Sequence, residues 1–253
     1  MKIHSKALIA ASFALAATAS QAATFDIQVA FGGGLTPTQQ SVFSQAEAYW
    51  ESVITGYQAG ISIPALVISA AGVAIDGVSG ILGSAGPTFG TFQGGYVLPT
   101  AGVMEFDTAD LGALEVSGEL LDVILHEMAH VMGFGTTWTN NNVYVTESGR
   151  FTGANALAAY RAEFDPTANF VPVDIVSGAG TRNGHWAETW AGGPLDLMTG
   201  FLDTPTFISN TTIQSFVDIG YSTAQVPLPA GAVLLLGGLG ILGAVGARRR
   251  RRT

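Results

Sequence analysis

His126 and His130 stand four residues apart in His126-Glu127-Met128-Ala129-His130, and Val131-Met132-Gly133-Phe134-Gly135 follows at once. On a helix that spacing puts both imidazoles on one face, one above the other. Two neutral imidazoles so placed can grip one Zn²⁺ ion, and Glu127 between them reaches a water at the ion's open corner. Gly133 lets the chain turn away beneath such an ion. A third histidine, His185, lies in a glycine-rich loop, and Met198 follows thirteen residues later in a turn-like stretch. Residue types in this pattern suit a hydrolase that makes its nucleophile from water.

The pair needs a rigid support. Ser117 is placed to cap a helix running through Met132, with Glu119 at the positive end of its dipole. Leu121, Val123, Ile124, Leu125, Met128, Ala129 and Val131 fill most of the circumference, so the histidines project from a buried rod. Before it, Thr24–Phe31 alternates as a first strand, and Thr36-Pro37 opens a helix to about Ile54. Val42, Phe43, Ala46, Tyr49, Trp50 and Val53 are its apolar face. The glycine- and β-branched-rich stretch 61–95 reads as short strands and turns, and Val97–Phe106 as a further strand. After the histidines, a helix is expected near Ala154–Glu163. Asn210 is placed to cap a last helix over Thr211–Ile219. No internal repeat appears.

His126–Phe134 with distant His185 and Met198 resembles the metzincin clan of zinc peptidases. Most of that clan carry the third ligand six residues after the second histidine, where this chain has Thr136. The chain resembles instead the leishmanolysin-like branch, which inserts a segment there: fifty-four residues separate His130 from His185. The resemblance spans about residues 24–222, without the cysteines of the protozoan members. It implies His126, His130 and His185 as zinc ligands and Glu127 as the catalytic general base. Met198 would be an apolar floor under the metal. The implied fold is α+β in two lobes: a mixed twisted sheet with a backing helix and the active-site helix, then a smaller lobe bearing His185 and Met198. The implied activity is endopeptidase cleavage of protein or peptide substrates, lying extended along an edge strand near Val97–Phe106.

The termini speak of export. Lys2, Lys6, an apolar Ala7–Ala19 and Ser20-Gln21-Ala22 read as a signal peptide over residues 1–22. The 23–224 body is followed by a tail, 225–253. There Val226-Pro227-Leu228-Pro229 precedes an apolar run from Ala230 to Ala247 and then Arg248–Arg252. Those eighteen residues span roughly 27 Å as a helix, about a bilayer's hydrocarbon thickness. The arginines stay cytoplasmic and leave the body outside. This tail resembles the PEP-CTERM sorting signal, although Leu228 stands where the motif carries Glu. The resemblance implies an exosortase-type processing partner. It also implies tethering to the inner membrane before processing, and an extracellular or cell-surface place afterwards.

Composition narrows the partners. All 19 acidic residues lie in the body against only Arg150, Arg161 and Arg182, so nucleic acid is excluded as a partner. With no cysteine, disulfides and thiolate zinc sites are excluded too. Asp107 and Asp110 raise Ca²⁺ as a second ion, but no complete ligand spacing accompanies them, and loop capping is the expected role. Asp122 and Glu188 could orient imidazoles or simply face solvent. Trp186 and Trp190 could wall a pocket or pack. Two alternatives to a protease stand beside it: a non-catalytic exported matrix or adhesion protein on a zinc-bearing scaffold, and a zinc amidase acting on cell-wall peptides.

Overall fold

Thr36 starts the first helix with both halves of a capping box. Its hydroxyl accepts from the Gln39 amide, and the Gln39 side chain accepts from the Thr36 N–H. Two donors left free at a helix start are thereby satisfied. Pro37 follows at the first helical position, where its missing N–H costs nothing. Phe43, Ala46 and Trp50 then bury one stripe of that helix, with Val42, Tyr49 and Val53 partly covered at its margins.

The computed structural model describes residues 24–224; the signal-peptide and tail readings, with the apolar run 230–247, lie outside the described residues. Among the described residues no helix is long and apolar enough to cross a membrane. The order is β1 (Ile27–Phe31), α1 (Pro37–Val53), β2 (Ile54–Tyr57), β3 (Leu66–Val73), β4 (Gly83–Gln93), β5 (Tyr96–Asp107), α2 (Leu111–Ser117) and α3 (Leu120–Val131). Then come β6 (Arg150–Phe151), α4 (Ala154–Glu163), β7 (Val171–Pro172), α5 (Asn210–Val217) and β8 (Tyr221–Thr223). The architecture is α+β, with a twisted mixed sheet in the order β1-β3-β5-β4. β1, β3 and β5 run parallel, and β4 returns antiparallel on β5.

Helix α3 lies against β4, β5 and α1. Ile124, Met128, Ala129 and Val131 are fully buried there, and the Trp50 indole donates to the Leu125 carbonyl at 3.2 Å. The last of the described residues are stitched back by β8 pairing with β2, while the Tyr221 hydroxyl donates to Met132 O at 2.7 Å. That bond satisfies a carbonyl left open at the end of α3.

Three local expectations are corrected. Ser117 does not cap α3: it is the last residue of α2, and its hydroxyl bonds Leu114 O and Glu119 instead. The chain reaches α3 directly from α2 through Gly118 in the left-handed region (φ 85°), so α3 starts without a side-chain cap. The last helix is capped by Ser209, one residue before Asn210, with the hydroxyl accepting from Thr212 N. The strand over Val97–Phe106 is real, but it is not an edge. β5 is held between β3 and β4, because a tight Gly94-Gly95 turn folds β4 back alongside it. The free edge is β4, which has no second neighbour among the described residues.

Helices α4 and α5 cap each other. Asp218, just past α5, accepts from the Asn155 and Ala156 amides at the start of α4. Glu163, ending α4, accepts from the Asn210 and Thr211 amides at the start of α5. Each carboxylate thus serves the positive end of its neighbour's dipole. Asp218→Ala strands three donors, these two amides and Asn155 Nδ2, in a largely covered place and should cost about 2 kcal/mol. Thermal unfolding of that variant should drop by roughly 4–8 °C; an unchanged melting curve would show that the cross-caps contribute nothing.

Candidate metal centre

His126 and His130 sit in the second half of α3, where the helix is walled by sheet and α1. Beyond Val131 the chain turns at Gly133, whose φ of 114° only glycine adopts without strain. Thr136, at the position where most metzincins place a ligand, has another task. Its hydroxyl donates to His130 O at 2.8 Å, adding to the Gly133 N–H already bonded to that carbonyl at the helix end.

His185 arrives from the loop after β7. Asn183 N donates to Asp174 O and Asp174 N to His185 O, a small ladder that fixes the loop's backbone. Glu147 pairs with Arg182 and accepts from Asn183 Nδ2, pinning the loop from outside. The closest approach lies between Gly135 and Gly184. Gly135 has φ 71°, and a Cβ placed on it would fall inside the backbone of Gly184. The loop carrying His185 can therefore rest directly on the turn that follows α3.

The three imidazoles meet at their Nε2 atoms. His126–His130, His126–His185 and His130–His185 are each 3.0 Å apart, Nε2 to Nε2. Each Nδ1 is occupied by a backbone carbonyl: Leu197 O at 2.6 Å for His126, Phe134 O at 3.0 Å for His130, and Thr181 O at 2.8 Å for His185. A carbonyl only accepts, so each Nδ1 carries the proton and, in the neutral ring, each Nε2 presents a lone pair. Three lone pairs pointed at one another repel unless a cation lies among them. Zn–N bonds of about 2.0–2.1 Å in a tetrahedron set N···N near 3.3 Å, close to the spacing here. The donor set therefore fits zinc.

Burial holds the rings neutral. It drives His126 down to about 3, with His185 adding to the effect, and lowers His130 and His185 from 6.5 as well. Unfolding exposes these rings to protons at any pH below about 6.5. For the metal-free protein, the stability tied to them is whole above that pH and erodes as pH falls below it. For His126 the loss runs down to about 3 at up to about 1.4 kcal/mol per unit, with His130 and His185 adding in the same direction. Glu127 acts in reverse between 4.5 and 8, but one carboxyl is outweighed by three imidazoles. Chelator-treated protein should thus lose denaturant resistance steadily from pH 6.5 to 5; a flat profile would contradict the neutral cluster.

Glu127 faces the same space, 7% exposed, and accepts no hydrogen bond among the described residues. Burial lifts its carboxyl to about 8. A divalent cation beside it would pull that value back down. Gly83 in β4 makes room for it, since a Cβ there would stand 3.1 Å from both Cγ and Oε1 of Glu127. The cavity before these groups holds about 680 Å³, with the start of β4, α3, the His185 loop and residues 196–206 as its walls.

Met198 is fully buried in a turn that binds both histidine segments. Leu197 O takes the His126 proton, and Met198 O accepts from Trp186 N, next to His185. Asp196 builds the turn by accepting from Met198 N, Ser209 N and the Thr212 hydroxyl, and Thr212 in turn accepts from the Trp186 indole. Sequence reasoning gave Asp196 no role, although an Asp two residues before the turn's Met is a local signal for such an Asx turn. Glu147 and Gly83 had no signal, their partners being far away in the chain.

The other candidates take structural places. Asp122 lines the cavity but makes no hydrogen bond to an imidazole, and Glu188 accepts from Gly200 N. Asp107 accepts from the amides of Ile75, Asp76, Gly77 and Ala109, and Asp110 from Ser79 N, which is loop capping. Trp186 and Trp190 are buried and stacked 5.7 Å apart, with Trp138 also stacked on Trp186; they pack and do not line the cavity. Compared with known proteins, the chain matches no family model and no curated protein.

Proposed function

We propose that the described residues form a zinc endopeptidase of the metzincin type, resembling the leishmanolysin-like branch. In this reading α3 and the sheet make an upper lobe, and the segments bearing His185, Met198 and α5 make a lower one. The observation that carries the proposal is the convergence of three Nε2 lone pairs beside an unpartnered, buried carboxylate, at the wall of an open cavity. A purely structural site would close the fourth corner and would need no base.

Zinc held by His126, His130 and His185 would polarise the scissile carbonyl and bring the pKa of a water to about 7. Glu127 takes the proton of the attacking water and delivers it to the leaving amine. The carbonyls of Leu197, Phe134 and Thr181 keep the three rings in one tautomer and orientation throughout. The free edge of β4 near Gly83–Ala85 hydrogen-bonds an extended substrate as an added strand, the role first expected of β5. The signal-peptide reading of residues 1–22 and the sorting-tail reading of 225–253 support a reaction outside the cytoplasm, with the protein tethered to the inner membrane until an exosortase-type enzyme cuts the tail.

Incubation of the exported protein with an unfolded polypeptide tests the reading. Cleavage should stop with chelator and return with zinc. Zinc-loaded protein that binds its ion yet cuts neither unfolded protein nor cell-wall peptide would instead favour a non-catalytic scaffold.

A further inference from the structure

Asp122 stands one turn before His126 on α3 and lines the cavity. At that spacing its side chain neighbours the His126 ring, yet it does not serve it, because the Nδ1 of His126 is already bonded to Leu197 O. Among the described residues Asp122 has no ion-pair partner. Arg182 is the one cation lining the cavity, and Glu147 holds it. Asp196, the remaining carboxylate of the wall besides Glu127, is consumed by the turn it builds. Apart from the proposed base Glu127, Asp122 is thus the carboxylate left without a partner in a wall that Val123, Leu197, Phe201 and Leu202 also line.

A carboxylate without a partner, in a wall shared with apolar side chains, suits a substrate side chain that has a long apolar stem and a cationic head. We infer that the cavity selects substrates presenting lysine or arginine beside the reacting bond, with the head group at Asp122. The inference rests on the peptidase reading for the word substrate, but the recognition it describes is measurable without turnover. The body's 19 acidic residues against three arginines also attract cationic peptides at large, so the test must separate Asp122 from the general field.

Peptides of one common sequence, differing at a single residue as Lys, Arg, Leu or Glu, are titrated into the zinc-loaded full chain carrying Glu127→Gln. The Lys and Arg peptides should bind about tenfold tighter than the Leu peptide, and the Glu peptide weakest of all. Adding Asp122→Asn should bring the Lys-to-Leu ratio near one, and Asp122→Lys should favour Glu. Zinc content equal to the parent's shows that these variants keep the site. Equal binding of Lys and Leu peptides overturns the inference, as does a Lys preference that survives Asp122→Asn. The same peptides given to the protein with Glu127 intact separate the two readings. Failure to cut any of them counts against the peptidase and leaves the binding ratios to judge Asp122; cutting without a basic preference counts against Asp122 alone.

Discussion

Glu127→Gln should keep a full complement of zinc and lose peptide hydrolysis by about 10³-fold or more in kcat. Glutamine preserves the shape of the side chain and the packing against Gly83, where Cγ and Oε1 have little space to spare. What it loses is the proton transfer proposed for Glu127, from water to the leaving amine, a role whose removal costs about 10²–10⁴ in rate. The three imidazoles do not depend on it, since their Nδ1 protons go to the carbonyls of Leu197, Phe134 and Thr181. Metal analysis and single-turnover cleavage on the same sample read the two effects apart. A variant that binds zinc and still cleaves at a tenth of the parent rate would remove Glu127 from the chemistry.

The second large effect is expected from a glycine that touches no reacting atom. Gly135→Ala forces a side chain into a left-handed conformation and into the backbone of Gly184, next to His185. Neither chain segment has a flexible atom to yield there, so the loop must move as a body. The third imidazole leaves the 3.0 Å triangle with it. Zinc affinity should fall by about 100-fold, comparable with the loss of a strong orienting partner. Gly178→Ala, in the same loop but facing open space, is the control and should bind zinc as the parent does. Competition with a chromogenic chelator measures both; equal affinities for Gly135→Ala and parent would show that the contact does not position His185.

Much of the framework was legible because it rests on local patterns. The alternation of Thr24–Phe31 and the cap at Thr36 mark β1 and α1 within a few residues, and Ala154–Glu163 is the helix expected there. Ser117 misled because a Ser before an apolar run signals a cap, and nothing local says that another helix already ends there. The edge was misread for a related reason: whether a strand is flanked on one side or two depends on where the Gly94-Gly95 turn sends β4.

The chain's own order of residues determined the paired histidines, the carboxylate between them and the glycine that ends their helix, since a helix converts four-residue spacing into one shared face. Tertiary structure alone decided that Asp196 shapes the turn below and that β4 borders the cavity, and it brought His185, expected from the sequence pattern, onto the pair. It also supplied the acceptors that orient every ring. Those acceptors are main-chain carbonyls, which every residue possesses, so no amino-acid letter marks them until the fold brings three of them around one point.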